Sequence, residues 1–121
     1  MRELIKITKA LADPNRIRIL LALHRKELCV CQIVELLPLA PSTISKHLSI
    51  LDHASLIVPR KVERWIYYRL PDKEATATVR NAIQWIHQSL AKSPEVAADA
   101  KALRKILNLD PSALCQRQNQ R

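Results

Sequence analysis

Three cysteines, Cys29, Cys31 and Cys115, carry the most distinctive chemistry in this chain. Two of them lie two positions apart in ELCVCQIVELL, residues 27–37, where an apolar helical pattern begins. Thiolates are soft ligands that select thiophilic ions such as As(III), Sb(III) or Cd(II) over magnesium or calcium. The exposed N–H groups of a helix start lower thiol pKa values and so favour the ligating form. On a regular α-helix, however, residues two apart point about 200° away from each other. Gripping one ion with both would require the first turn to loosen or tilt. Core filling is the competing reading, since free cysteine is among the most buried residue types. Cys115 stands beside Leu114 near the end of the chain, either as a packing residue or as a third sulfur, even one offered to a second subunit.

The elements that must position these sulfurs follow from composition and periodicity. A chain of 121 residues is the size of one domain, and 48% hydrophobic residues are enough for a core. Glycine is absent, which argues against phosphate-cradling loops and dinucleotide folds. Twenty Lys and Arg against eleven Asp and Glu leave a net charge of +9, which favours a polyanionic partner such as nucleic acid. The N-terminal MRELIKITKALADPNR has no continuous apolar run, and no stretch is long enough to span a bilayer. A cytoplasmic location is therefore expected, with thiols kept reduced. An odd number of cysteines also fits poorly with a disulfide framework, so Cys29 and Cys31 are expected as free thiols.

Leu4, Ile7 and Leu11 form the stripe of a first helix, and Asp13-Pro14 starts a second with Ile17, Leu20 and Leu21 turned inward. A short third helix runs through Ile33, Val34, Leu36 and Leu37 until Pro38 and Pro41 break it. Ser42 reads as the N-cap of a fourth helix, STISKHLSILDHA, with Ile44, Leu48 and Leu51 on its core face. Short helix, break and polar-faced helix make a helix-turn-helix pattern. Leu56-Ile57-Val58 and Trp65-Ile66-Tyr67-Tyr68 then read as two strands around the basic stretch Pro59–Arg64, joined by a loose loop because no Gly or Asn is present. Helical spacing returns at Val79, Ile83, Ile86 and Leu90, and again after Ser93-Pro94. Asp110-Pro111 opens a short tail whose end, QRQNQR, reads as frayed.

The expected fold is mainly α with a small β-hairpin: a single winged helix-turn-helix domain over 1–121. Its helix-turn-helix spans about 30–54, its wing about 56–70, its C-terminal helices about 73–109 and its tail 110–121. The fourth helix can enter a major groove while the wing's cations reach phosphates or the minor groove of double-stranded DNA. Ser42, Thr43, Ser45, Lys46, His47 and Ser49 are the candidate DNA contacts of the helix, and Arg60, Lys61 and Arg64 those of the wing. A solvated polar face is the plain alternative for each residue taken alone.

LADPNRIRILLAL, ELCVCQIVELL, PSTISKHLSIL and RWIYYRL resemble successive segments of the ArsR/SmtB family of metal-sensing repressors, in the family's order over roughly residues 10–70. The arsenical-resistance branch, with ELCVC at the start of its third helix, is the closest. The resemblance implies a homodimer through the first and fifth helices, for which Leu4, Ile7, Leu11, Val79, Ile83, Ile86 and Leu90 are the candidates. It also implies an operator with two-fold symmetry that is released when an As(III)-like inducer binds, and no organic cofactor. Two departures stand out. The third cysteine common in that branch falls at Val34 here, so a Cys29/Cys31 site must find its third ligand elsewhere, with Cys115 the candidate, or manage with two sulfurs. The wing glycine corresponds to Glu63. The family's carboxylate–histidine zinc site on the fifth helix is not expected, since His87 has no partner there at ligand spacing. His24 and His53 are expected at the surface or at helix ends. The alternatives are a winged-helix regulator sensing Cd, Pb, Zn or oxidants through the same cysteines, and a thiol enzyme. An enzyme could pair Cys29 with His24, but no orienting third group or oxyanion loop accompanies them.

Overall fold

The computed structural model describes residues 1–120. In chain order its elements are α1 (Arg2–Ala10), α2 (Pro14–Ala22), β1 (Leu28–Cys29), α3 (Val30–Leu36), α4 (Pro41–His53), β2 (Val58–Val62), β3 (Trp65–Arg69), α5 (Ala77–Ser89), α6 (Pro94–Leu107) and α7 (Pro111–Asn119). The three strands form one antiparallel sheet in the order β1-β3-β2. This is the mainly α winged helix-turn-helix that the sequence implied. Among the described residues no helix is long and apolar enough to cross a membrane.

Local chemistry sets the helix starts. Asp13 accepts from the backbone N–H groups of Asn15 (2.8 Å) and Arg16 (3.2 Å), and Pro14 fills the first position of α2. Burial opposes ionisation of Asp13, but those two N–H groups outweigh it and hold its carboxyl below the usual carboxylate value. Thr76 and Ser93 cap α5 and α6 in the same manner. Helix α4 departs from expectation. Ala40 is its N-cap, Pro41 its first residue, and Ser42 lies one position inside. Proline at the first position needs no N–H, which lets the helix begin two residues earlier.

The core collects Ile7, Ile19, Leu20, Leu23, Leu28, Ile33, Leu37, Ile44, Leu48, Leu51, Leu56 and Ile57, all fully buried. Thus α2, α3 and α4 pack on one another with α1 and the sheet around them, and the inward stripe of α4 is the one read from spacing.

Without glycine, three other residues take positive φ: Arg25 (57°), Ser55 (61°) and Glu63 (55°). Ser55 closes α4, with Leu56 N–H donating to Leu51 O at 3.0 Å. Glu63 begins the hairpin turn. The pairing of Val62 with Trp65 leaves only Glu63 and Arg64 between the strands, so the loop is a tight two-residue turn rather than the loose one expected. The strand pairing determines the turn here, and a non-glycine residue accepts the strained backbone, at a cost of about 1–2 kcal/mol. Arg60 and Lys61 accordingly lie in β2, not in a loop.

The C-terminal tail is also corrected: residues 111–119 form α7, docked on α3. The expected frayed end is helical through Asn119, and Arg121 lies outside the described residues.

Candidate functional site

Cys29 ends β1 and caps α3, with extended backbone (φ −81°, ψ 161°). Its N–H donates to Gln32 Oε1 at 2.9 Å, and the residue is only 1% exposed. Cys31 lies in the first turn of α3. The two cysteines therefore straddle a strand–helix junction, and the 200° separation of a regular helix does not apply to them.

Cys31 is joined to Cys115 of α7 by a disulfide, with Cα atoms 5.5 Å apart. Cys29 is the free thiol among the described residues. The expectation of a free Cys31 thiol is corrected here, because α7 docks along α3 and delivers its sulfur there. Leu114 is buried in the core, Gln118 Nε2 donates to Cys31 O (2.8 Å) and Glu35 Oε2 (3.2 Å), and Arg117 reaches Glu35 Oε1 at 2.6 Å. Cys115 thus meets Cys31 within one chain. Val34, the position at which the family resemblance places a third cysteine, is buried in the core. With Cys31 and Cys115 bonded to each other, no three His, Cys, Asp or Glu side chains among the described residues converge as a metal site. The donor set is soft, and only reduction would make all three sulfurs available to an ion.

The junction is coupled to the wing. Leu28 and Cys29 pair with Tyr68 and Tyr67 of β3. Glu27, just before them, receives Arg60 Nε at 3.0 Å, and the Arg60 guanidinium stacks 5.2 Å from the Tyr67 ring centre. The hydrogen bond from Arg60 holds the Glu27 carboxyl below its usual range against the effect of burial. Arg60, Lys61 and Arg64 are all exposed, but Arg60 is paired with Glu27 while Arg64 lies over Trp65 at 5.5 Å. A cavity of about 290 Å³ lies between the wing turn (Arg64, Trp65) and α7 (Ser112, Cys115, Gln116, Asn119).

On α4, Ser42, Thr43, Ser45, Lys46 and Ser49 are exposed together, opposite the buried Ile44, Leu48 and Leu51. His47 does not join them. It is 9% exposed, and Arg16 Nη1 lies 3.1 Å from its Nδ1. An arginine only donates, so His47 Nδ1 accepts. Arg16 also donates to Ala10 O (2.7 Å) and Lys9 O (3.2 Å), bracing α1, α2 and α4 together. The role of Arg16 was not read from the sequence, because its partners are backbone oxygens and a distant helix.

The interface candidates divide. Ile7, Val79 and Ile86 are consumed by the protein's own core, Leu11, Ile83 and Leu90 are partly covered, and Leu4 is 52% exposed. Ile5 and Trp85, which helical spacing did not single out for an interface, are 45% and 65% exposed on the same two helices, α1 and α5.

Residues 13–57 match the family profile described as bacterial regulatory protein, arsR family. The chain is 34% identical over 88 residues to the transcriptional repressor SmtB homolog of Synechocystis, covering 73% of this chain and 67% of that protein. It is 40% identical over 74 residues to the arsenic resistance transcriptional regulator ArsR1 of Pseudomonas putida, covering 58% of each. It therefore spans little more than half the length of that arsenic regulator. Among solved structures, HlyU from Vibrio cholerae superposes with a TM-score of 0.64 at 28% identity, covering 75% of this chain and 95% of that one.

Proposed function

Because the chain belongs to the ArsR family of bacterial transcriptional regulators, we propose that it is a cytoplasmic homodimeric repressor. It binds operator DNA through α4 and the wing and leaves it when As(III) or Sb(III) binds Cys29, Cys31 and Cys115. As a member of that family it is a DNA-binding regulator and not an enzyme.

The observation that carries this reading is the meeting of Cys115 and Cys31 beside the buried Cys29 junction. A dithiol reductant opens the Cys31–Cys115 bond, giving two thiols and the oxidised reductant. Three thiols then exchange with arsenous acid, forming three As–S bonds and releasing three waters. Cys29 must swing toward the other two sulfurs for this, which strains the β1–β3 pairing at Tyr67 and the first turn of α3. Ile33 and Leu37 of α3 pack in the same core as Ile44 and Leu48 of α4, so the exposed face of α4 moves relative to the wing. Inducer and DNA then oppose each other by equal coupling free energies. The exposed Leu4, Ile5 and Trp85 support a dimer through α1 and α5, since large apolar side chains gathered at a surface mark an interface.

Native mass spectrometry of reduced protein with arsenite tests the ligand set. One arsenic per chain with three protons displaced is expected, falling to two protons in Cys115→Ser. An unchanged adduct in that variant would remove Cys115 from the site.

The disulfide also favours a second reading, a regulator that responds to oxidants through Cys31 and Cys115. DNA binding measured across a glutathione series without metalloid separates the two.

A further inference from the structure

We propose that Gln32 is a positioning residue: it holds Cys29 in a retracted pose and so sets how much thiophilic ion is needed to release DNA. The proposal rests on the repressor reading above. Gln32 is the third residue of α3, three positions after Cys29 and directly after Cys31. Cys29-x-x-Gln32 has the spacing of a capping box, with a thiol where serine or threonine is usual.

Both halves of that box are present. The Cys29 N–H donates to Gln32 Oε1 at 2.9 Å, and the Gln32 N–H meets the Cys29 side chain. Sulfur is a weak acceptor, so the bond to Oε1 is the stronger half. It lies inside the protein, with Gln32 only 7% and Cys29 1% exposed. In the pose it fixes, Cys29 stays a free thiol while Cys31 and Cys115 are joined.

An ion that gathers all three sulfurs must draw Cys29 out of this box. The N–H of residue 29 then loses Oε1, and a buried donor without a partner is destabilising. The bond therefore favours the retracted, DNA-binding pose over the ion-bound one, and only such a difference between poses can move the equilibrium. Removing the acceptor leaves the N–H unpaired in both poses and cancels the difference. Gln32→Met does this at nearly constant length and volume, whereas Gln32→Glu keeps an acceptor oxygen in place. A cap that served only to hold α3 together would count equally in both poses. Its loss would lower stability without moving the ion threshold.

Two readouts on fully reduced protein test this. In the first, arsenite is titrated onto protein bound to a DNA duplex selected by the wild type. Half-release of Gln32→Met should need about tenfold less arsenite than the wild type, and Gln32→Glu should match the wild type. In the second, without metalloid or DNA, Cys29 and Cys31 are alkylated with N-ethylmaleimide and quantified by peptide mass. Labelling of Cys29 relative to Cys31 should rise about tenfold in Gln32→Met and stay unchanged in Gln32→Glu. Should Gln32→Met fail to fold, amide exchange in the wild type takes its place: protection of the Cys29 N–H should fall about tenfold or more when arsenite binds. Equal Cys29 labelling in Gln32→Met and wild type, an unmoved arsenite midpoint beside a responsive wild type, or protection retained in the arsenite complex would overturn the role of Gln32. Faster Cys29 labelling in Gln32→Met, with a wild type that arsenite does not release, would sink the arsenite reading and leave Gln32 as the residue that positions Cys29.

Discussion

The carbonyl oxygen of Cys31 accepts a 2.8 Å hydrogen bond from Gln118 Nε2, three residues beyond Cys115 on α7. Helix α7 is thus seated on α3 by its own packing as well as by a sulfur. Gln118→Ala should cost about 1–2 kcal/mol, since it removes the Nε2 hydrogen bonds to Cys31 O and Glu35 Oε2. Leu114→Ala should cost about 2–5 kcal/mol. Denaturant unfolding with the disulfide reduced measures both. On the proposed mechanism, Gln118→Ala also weakens arsenite affinity while leaving DNA affinity in place. A variant that loses neither stability nor inducer response would separate α7 from the switch.

Lys46 and His47 are neighbours in sequence with opposite fates, one exposed and one buried against Arg16. Lys46→Ala should weaken DNA binding and lower the slope of log affinity against log salt by about 1 if it meets a phosphate. His47→Ala should instead lower folding stability by about 1–2 kcal/mol through the lost Arg16 contact, with little change in the salt slope. Fluorescence anisotropy over a salt series, beside urea melts, distinguishes the two effects. A salt slope that changes for His47→Ala and not for Lys46→Ala would reverse the assignment.

Glu63 holds φ at 55° in the two-residue wing turn. Replacing it with glycine removes about 1–2 kcal/mol of backbone strain and adds about 0.5–1 kcal/mol of unfolded-state entropy cost. Glu63→Gly should therefore be neutral to stabilising, by up to about 1.5 kcal/mol. A lowered urea midpoint would show that the turn prefers its native residue for another reason.

Asp13 caps α2 with a carboxyl held below its ordinary value of 3.8. A depressed carboxylate pKa stabilises the fold above the unfolded value, and that contribution is lost as pH falls through the folded value. Asp13→Ala should cost about 1 kcal/mol at neutral pH. The gap from wild type should close as pH falls below about 4. Equal gaps at pH 7 and at strongly acidic pH would rule out the charged cap.

Much of this was legible because it rests on strong local signals. Asp13-Pro14 and Ser93-Pro94 mark helix starts by chemistry alone, and Ile44, Leu48 and Leu51 can share only one face of a helix. Strand β1 was not legible, since two residues carry no periodicity and their pairing partner lies about forty residues away. His47 was misassigned although spacing held the signal: three residues after Ile44, it borders the buried stripe. Helix α7 was read as a tail despite Asp110-Pro111 and the four-residue spacing of Leu114 and Gln118, because its remaining residues are polar. The disulfide depends on that docking, which composition does not encode. The tight wing turn was missed because strand register, rather than residue preference, decided it.

The central claim is that the cysteines at the β1–α3 junction and on α7 release DNA when a thiophilic ion binds. Its most direct test is anisotropy of reduced protein on a DNA duplex selected by that protein, titrated with arsenite, in wild type and in Cys29→Ser/Cys31→Ser. The account predicts release of DNA from the wild type and retention by the variant at equal starting affinity. Arsenite-driven release from the double variant would contradict it.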